Sequence, residues 1–273
     1  MSSMTGALAG QDRAGCFVVE IKRGDGIYHM PVWSYVPRPI AAAAPVLIVL
    51  HGFQRNAEAY RDAWRGHAAR HGALLLVPEF NQKDHPGPRA YEVGNMRNLA
   101  RTAFLPRRDW AFTAIAAVFD AARREFAIQP DSYCLYGHSA GAQLVHRMLT
   151  FLPDARIETA IAANAGAYTM PWPDERFPYG LQGAPWDDAG LGRLLGQRLI
   201  VPLGEADIDE THPVLLKRPE AMRQGRHRLA RGQAYYAAGR DLAARLAVPF
   251  AWQLVTVPGV GHSNTAMAAA AAI

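Results

Sequence analysis

Ser132-Tyr133-Cys134-Leu135-Tyr136-Gly137-His138-Ser139-Ala140-Gly141-Ala142 is the stretch on which the fold turns. A short run, Ser132 to Tyr136, suited to a buried strand meets Gly-x-Ser-x-Gly, and a helical pattern continues from Ala142 to Phe151. Strand, sharp turn and helix in that order hold a serine with its hydroxyl out of the sheet. The flanking glycines leave room where side chains would collide with the neighbouring strand and helix. Ser139 is therefore the candidate nucleophile, and the rest of the chain is read for what such a serine needs.

Working outward, strands and helices alternate. Cys16 to Ile21 and Tyr28 to Val36 read as two strands joined around Gly24-Asp25-Gly26, a hairpin signal that makes Arg23-Gly24-Asp25 a turn rather than an adhesion motif. Val46 to Leu50 and Ala73 to Val77 are apolar strands with a helix, Tyr60 to His71, between them. Trp110 to Phe126 has helical periodicity, and further strands are expected at Thr159 to Ala163, Leu199 to Leu203 and Phe250 to Val255. A helix at Gln233 to Leu246 and an alanine-rich one at Ser263 to Ala271 complete the pattern. Such alternation implies an α/β fold, a mostly parallel, doubly wound sheet with an antiparallel N-terminal hairpin and helices on both faces. We expect one domain over 1–273, with lid or rim insertions at 79–108, 167–197 and 209–230. The Pro-, Gly- and Trp-rich part from Ala167 to Gly190 is unsuited to a helix or an inner strand.

The 273 residues, about half of them apolar, suffice for a large core. No apolar run approaches the roughly 20 residues that cross a bilayer, so no membrane partner is expected. Met1 to Ala14 carries Arg13 as its only basic residue and no apolar core of a secretory signal. A cytoplasmic location is the simpler expectation, a trimmed secreted form the other. The two cysteines, Cys16 and Cys134, make no disulfide framework and read as structural thiols. A net charge of +5 comes from scattered arginines, with one dense stretch from Lys217 to Arg231 that reads as a solvated helical face or loop. No nucleic-acid partner is expected.

A serine hydroxyl needs a base, and the base needs a carboxylate that fixes its tautomer. In doubly wound sheets these lie on loops after later strands, in the order Ser, acid, His. Gly204-Glu205-Ala206-Asp207-Ile208-Asp209 follows one strand, and Pro258-Gly259-Val260-Gly261-His262 follows the last. Asp207 and His262 complete the proposed triad, with Asp209 as the reserve acid. His138 is read as a neighbour packed beneath the nucleophile. His67 and His71 have helical metal-ligand spacing but lack the Glu of His-Glu-x-x-His and a third ligand, so they read as surface residues and no metal or other cofactor is expected. The oxyanion of an acyl transfer needs two donors. The backbone N–H groups of Ala140 and Phe53 are expected to supply them, with His51 and Gly52 shaping the turn and Gln54 and Asn56 bracing the loop.

With these motifs placed, the chain from about Pro45 to His262 resembles the α/β-hydrolase superfamily, and within it the LpqC-like group of poly(3-hydroxybutyrate) depolymerases and feruloyl esterases. Leu50-His51-Gly52-Phe53-Gln54-Arg55-Asn56-Ala57 resembles the group's L-H-G-C-x-Q loop, and Gly137 to Ala142 its G-x-S-A-G-A turn. Gly204-Glu205-Ala206-Asp207 resembles its G-x-x-D loop, which favours Asp207 over Asp209, and Gly261-His262 its G-H. The resemblance implies an α/β-hydrolase fold and hydrolysis of a carboxylic ester through an acyl-enzyme. Phe53 stands where the group usually has cysteine, so the disulfide of secreted members is not expected. No domain for gripping a solid polymer follows the core, which points to a small soluble ester or short hydroxyalkanoate-type oligomer. Trp110, Tyr168, Trp172 and Trp186 are candidate walls of its pocket. A peptidase or acyltransferase on the same triad, or a hydrolase-fold protein that binds a ligand without cleaving it, are the alternatives.

Overall fold

A computed structural model of the chain describes residues 14–271. The expectation about a leader in Met1 to Ala14 therefore lies almost wholly outside the described residues. Eight strands form one sheet in the order β1-β2-β4-β3-β5-β6-β7-β8. The chain divides into two compact units, one built from the residues up to Tyr136 with Arg156–Glu158, the other from Gly137–Ala155 and from Thr159 onward.

In the first unit, β1 (Ala14–Arg23) and β2 (Gly26–Tyr35) pair antiparallel, with Arg23 opposite Gly26. The two-residue turn has Gly24 at φ +57°, a conformation that costs glycine no Cβ clash and matches the twist of a tight hairpin. β2 then pairs antiparallel with β4 (Leu74–Pro78), and β4 pairs parallel with β3 (Val46–Leu50). All five residues of β4 are buried, and because successive strand residues face opposite sides, both of its faces are covered. Helix α1 (Ala57–Arg70) packs on β2, β3 and β4 through Tyr60, Trp64 and Ala68. A one-turn helix, α2 (Gly87–Ala90), and a 3-10 turn at Arg107–Asp109 interrupt the irregular segment that follows. Helix α3 (Phe112–Phe126) packs against β1 and ends where Ala127 turns left-handed at φ 51°. β5 (Tyr133–His138) carries the chain to the glycine-rich turn.

The second unit continues with α4 (Ala140–Phe151), β6 (Ile157–Ala163), α5 (Asp188–Gly196), β7 (Leu199–Gly204), α6 (Pro219–Gln224), α7 (Arg228–Leu246), β8 (Trp252–Val257) and α8 (Asn264–Ala271). β6, β7 and β8 are parallel neighbours. Every residue of α4 is buried, so this helix sits inside the unit. α7 lies on β7 and β8, and the approach is close: a Cβ at Gly239 would fall 2.5 Å from the Trp252 ring, and one at Gly232 2.4 Å from Leu203. No helix among the described residues is long and apolar enough to cross a membrane.

Besides the short helices α2 and α6, which lie in segments read as insertions, α5 and α7 depart from the sequence expectation. α5 falls at the end of the segment expected to be irregular. Its three glycines, Gly190, Gly192 and Gly196, lower helix propensity, but Leu191, Leu194 and Leu195 share a buried stripe and the Asp187 side chain caps the Gly190 N–H. α7 begins at Arg228 rather than Gln233, and the basic stretch is only partly solvated. Arg218, Arg223 and Arg226 are exposed, whereas Arg228 and Arg231 are 2% and 0% exposed. Arg231 donates to the carbonyls of Gly166, Leu216 and Gly225, which satisfy it without a carboxylate.

Candidate active site

The turn after β5 places Ser139 at φ 58°, ψ −112°, a region that a residue with a Cβ rarely adopts. Its N–H donates to the Ala163 carbonyl at the end of β6 (3.0 Å), which ties the turn to the sheet. A Cβ on Gly137 would stand 2.4 Å from the backbone of Gly141, so the turn closes only with glycine there. Ala140, at the first position of α4, donates its N–H to no group among the described residues.

The acid loop follows β7. Gly204 lets the loop after β8 come against it, for a Cβ there would lie 2.3 Å from the Val260 carbonyl oxygen and 3.0 Å from that of Gly261. Ala206 N–H donates to that Val260 carbonyl (2.9 Å), and Gly204 N–H to the Asn164 side chain (2.9 Å). Asp207 is consequently turned inward and is 3% exposed. His262 Nδ1–H donates to Asp207 Oδ2 at 2.7 Å, and His262 Nε2 stands 2.9 Å from Ser139 Oγ. A carboxylate only accepts, so the proton sits on Nδ1 and leaves Nε2 as the acceptor for the serine hydroxyl. The structure thus joins Ser139, His262 and Asp207 in one hydrogen-bonded chain, all within the second unit.

Burial holds the His262 imidazole below its ordinary range, its hydrogen bond and ion pair with Asp207 pull the other way, and the charges of Arg228 and His212 push it down further. A neutral base is the outcome. The reserve acid is turned to a local purpose. Asp209 is exposed and accepts from Thr211 Oγ1 (2.6 Å) and Thr211 N–H (2.8 Å), which lower its carboxyl. His138 is buried, with its ring 4.7 Å from that of His262, and burial keeps it neutral.

The loop after β3, in the first unit, carries Phe53, 45% exposed. Its rigidity comes from residues other than those expected. Gln54 and Asn56 are exposed, and Asn56 makes no side-chain cap to α1. Instead Arg55 donates to the carbonyls of Phe80, His85 and Gly87 and lies over the Tyr91 ring at 4.2 Å. His51 is fully buried, its Nδ1–H donates to the Gly52 carbonyl (2.9 Å), and its Nε2 accepts from Phe80 N–H (3.0 Å). His67 is half-buried, and its Nδ1 accepts from Arg70 Nη2.

The aromatics named as pocket walls separate. Trp110 is 3% exposed and donates to the Leu105 carbonyl (2.8 Å), a packing residue of the first unit. Tyr168 is fully buried and stacked on Tyr235, with ring centroids 4.4 Å apart. Trp172 and Trp186 are half-buried, and Trp172 borders an open hollow of about 440 Å³ with Glu175 and Arg245. The residue that sequence reasoning missed is Arg228. Its Nη1 lies 3.3 Å from Asp207 Oδ1, at a position where the basic run had suggested only solvent.

No protein-family model and no curated protein matches the chain. Solved structures do. The poly(aspartic acid) hydrolase-1 of Sphingomonas sp. KT-1 is 42% identical, with a TM-score of 0.90 over 95% of this chain and 97% of that one. LpqC, a poly(3-hydroxybutyrate) depolymerase from Bordetella parapertussis, is 35% identical, with a TM-score of 0.90 over 96% of this chain and 88% of that one. An S-formylglutathione hydrolase from Agrobacterium tumefaciens, at 17% identity and a TM-score of 0.55, shares the fold alone. With the eight-stranded, mostly parallel sheet and the glycine-flanked serine already in place, these likenesses decide the family: the chain belongs to the α/β-hydrolases, in the group that holds LpqC and poly(aspartic acid) hydrolase-1.

Proposed function

We propose that this hydrolase cleaves carboxylic esters through an acyl-enzyme on Ser139. The observation that carries the reading is the chain Ser139 Oγ, His262, Asp207, at 2.9 and 2.7 Å. In the proposed reaction, Ser139 Oγ bonds to the ester carbonyl carbon as its proton passes to His262 Nε2. Asp207 stabilises the imidazolium without taking its proton. The tetrahedral oxyanion accepts from the Ala140 N–H. Collapse breaks the bond to the alcohol oxygen, which takes the proton from His262. Water then gives a proton to His262 and attacks the acyl carbon, and the carboxylic acid leaves as Ser139 recovers its hydrogen.

The substrate class is drawn from the relatives. LpqC, a poly(3-hydroxybutyrate) depolymerase, supports a hydroxyalkanoate-type ester. A second reading, an amide-cleaving hydrolase on the same three side chains, is favoured by the 42% likeness to a poly(aspartic acid) hydrolase. The test is one panel: p-nitrophenyl esters of rising acyl length, a 3-hydroxybutyrate oligomer and poly(aspartic acid), each with the parent chain and Ser139→Ala. Ester turnover that Ser139→Ala abolishes supports the first reading, and turnover of poly(aspartic acid) alone supports the second. Equal turnover by Ser139→Ala sinks both.

A further inference from the structure

The acid of the candidate triad has a second partner that the acyl-transfer scheme leaves unused. Asp207 Oδ2 accepts from His262, and Oδ1 faces Arg228 Nη1 at 3.3 Å, with both side chains 2% exposed. Arg228 is the first residue of α7, and the local geometry fixes it there. His227 caps the helix by accepting from Ala230 N–H (3.2 Å), and Leu229 N–H donates to the Asp207 carbonyl (3.3 Å). The other terminal nitrogen, Nη2, lies 3.4 Å from His212 Nδ1. Its Nε is buried with no hydrogen-bond partner among the described residues.

That orphaned donor argues about purpose. A buried ion pair is a weak way to gain stability, since well-packed apolar side chains of similar volume do as well or better, and an unpaired buried N–H adds a further cost. The arrangement becomes intelligible when its effect on the neighbouring imidazole is considered. A carboxylate alone in a buried site draws a proton strongly onto its histidine. A base so strengthened stays protonated at neutral pH and cannot take the serine proton. A fixed cation on the far oxygen counters that draw and also stops the carboxylate from rotating away.

We propose that Arg228 is a positioning residue of this site, pinning the second oxygen of Asp207 so that the carboxylate stays aimed at His262, and offsetting the carboxylate's hold on the imidazole proton. The inference rests on the acyl-transfer reading above. The titratable and charged groups that face His262 are Asp207 from the acid loop, Arg228 from α7, His212 from the segment between them and His138 from the turn after β5. Of these, Arg228 is the permanent positive charge.

The test is an NMR titration of the His262 imidazole in the full chain, beside pH profiles of kcat/KM, for the parent, Arg228→Lys, Arg228→Gln and Arg228→Met. Losing the charge in Arg228→Met and Arg228→Gln should raise the titration midpoint by about one pH unit. The acid limb of kcat/KM should rise with it, so that rates on the acidic side fall about tenfold. Arg228→Lys, which keeps the charge, should stay near the parent midpoint. A merely structural arginine would lower stability in all three variants and leave the midpoint where it was, and that result overturns the proposal. Should Arg228→Met not fold, Arg228→Gln decides in the same way. The titration needs no turnover, so a failure of the acyl-enzyme reading, seen as an active Ser139→Ala, remains distinguishable from a failure of this one.

Discussion

Two histidines, one in each unit, the fully buried His51 and the half-buried His262, differ in what holds them. His51, in the loop after β3, has both ring nitrogens bound to backbone, Nδ1–H to the Gly52 carbonyl and Nε2 to the Phe80 N–H. Its own carbonyl accepts from the Tyr91 hydroxyl (2.7 Å). His262, in the loop after β8, has both nitrogens turned to side chains, Asp207 and Ser139. Backbone partners cannot change protonation state, so His51 has no proton to pass and serves as a cross-brace. Side-chain partners that donate, accept and ionise suit His262 to the proton relay proposed above. Burial keeps both neutral, which shows that a lowered basicity does not by itself mark a catalytic group. The partners do.

The sharpest way to break this comparison is to remove each ring. His262→Ala should lower kcat/KM on a responsive ester by about 10⁴-fold or more, with the urea midpoint little changed. His51→Ala should do the reverse first, costing about 3 kcal/mol as the Gly52 carbonyl and Phe80 N–H lose their partner. Chemical denaturation and initial rates on the same preparations check both. If His51→Ala were as stable as the parent, the brace would be wrong.

A smaller effect is expected at Gly204, which lets the His262 loop reach the acid loop. Gly204→Ala forces a Cβ against the Val260 carbonyl and should cost about 2 kcal/mol. It should also slow turnover through displacement of His262, without a change in the chemistry. Loss of stability with unaltered kcat would show that the loop yields elsewhere.

Acid separates the two rings again. Burial lowers His51 to about 4, below its ordinary 6.5, so the unfolded chain binds the proton first as pH falls. Its contribution is therefore intact above about pH 6.5 and is lost as pH drops toward 4, by up to about 1.4 kcal/mol per pH unit. His85, lowered to about 3, and the buried His138 and His146 act in the same direction. Thermal melts across this range should show Tm falling with acid, and His51→Ala should give a shallower slope. Activity should persist below pH 6.5, because His262 is also lowered from its ordinary value and must be neutral to accept the serine proton. The smallest effect belongs to Trp110→Phe, which loses one hydrogen bond to Leu105. It should cost about 1 kcal/mol and leave KM for a small ester unchanged.

What the sequence made legible follows the same distinction between local and tertiary causes. That the side chains of Ser139, Asp207 and His262 meet could be read because each follows a strand in a glycine-bearing loop, and the order of strands constrains which loops meet. The hairpin at Gly24 and the apolar strand Val46–Leu50 are likewise local signals. α5 was hidden because its glycines argue against a helix, while the leucine stripe that forms it is rewarded only by packing. Arg228 was hidden for a stronger reason. An arginine among arginines reads as solvated, and only the tertiary approach of Asp207, 21 residues earlier, makes its burial tolerable. Trp110 and Tyr168 carry no sequence sign that tells a core aromatic from a pocket wall.

The central claim is that Ser139 becomes covalently acylated. Intact-mass spectrometry after exposure to a fluorophosphonate measures it directly, with peptide mapping and residual activity followed in parallel. The account predicts a single adduct on the peptide holding Ser139, formed in step with loss of turnover and missing from Ser139→Ala. Parental turnover by Ser139→Ala, or an adduct elsewhere that tracks the loss of activity, would contradict it.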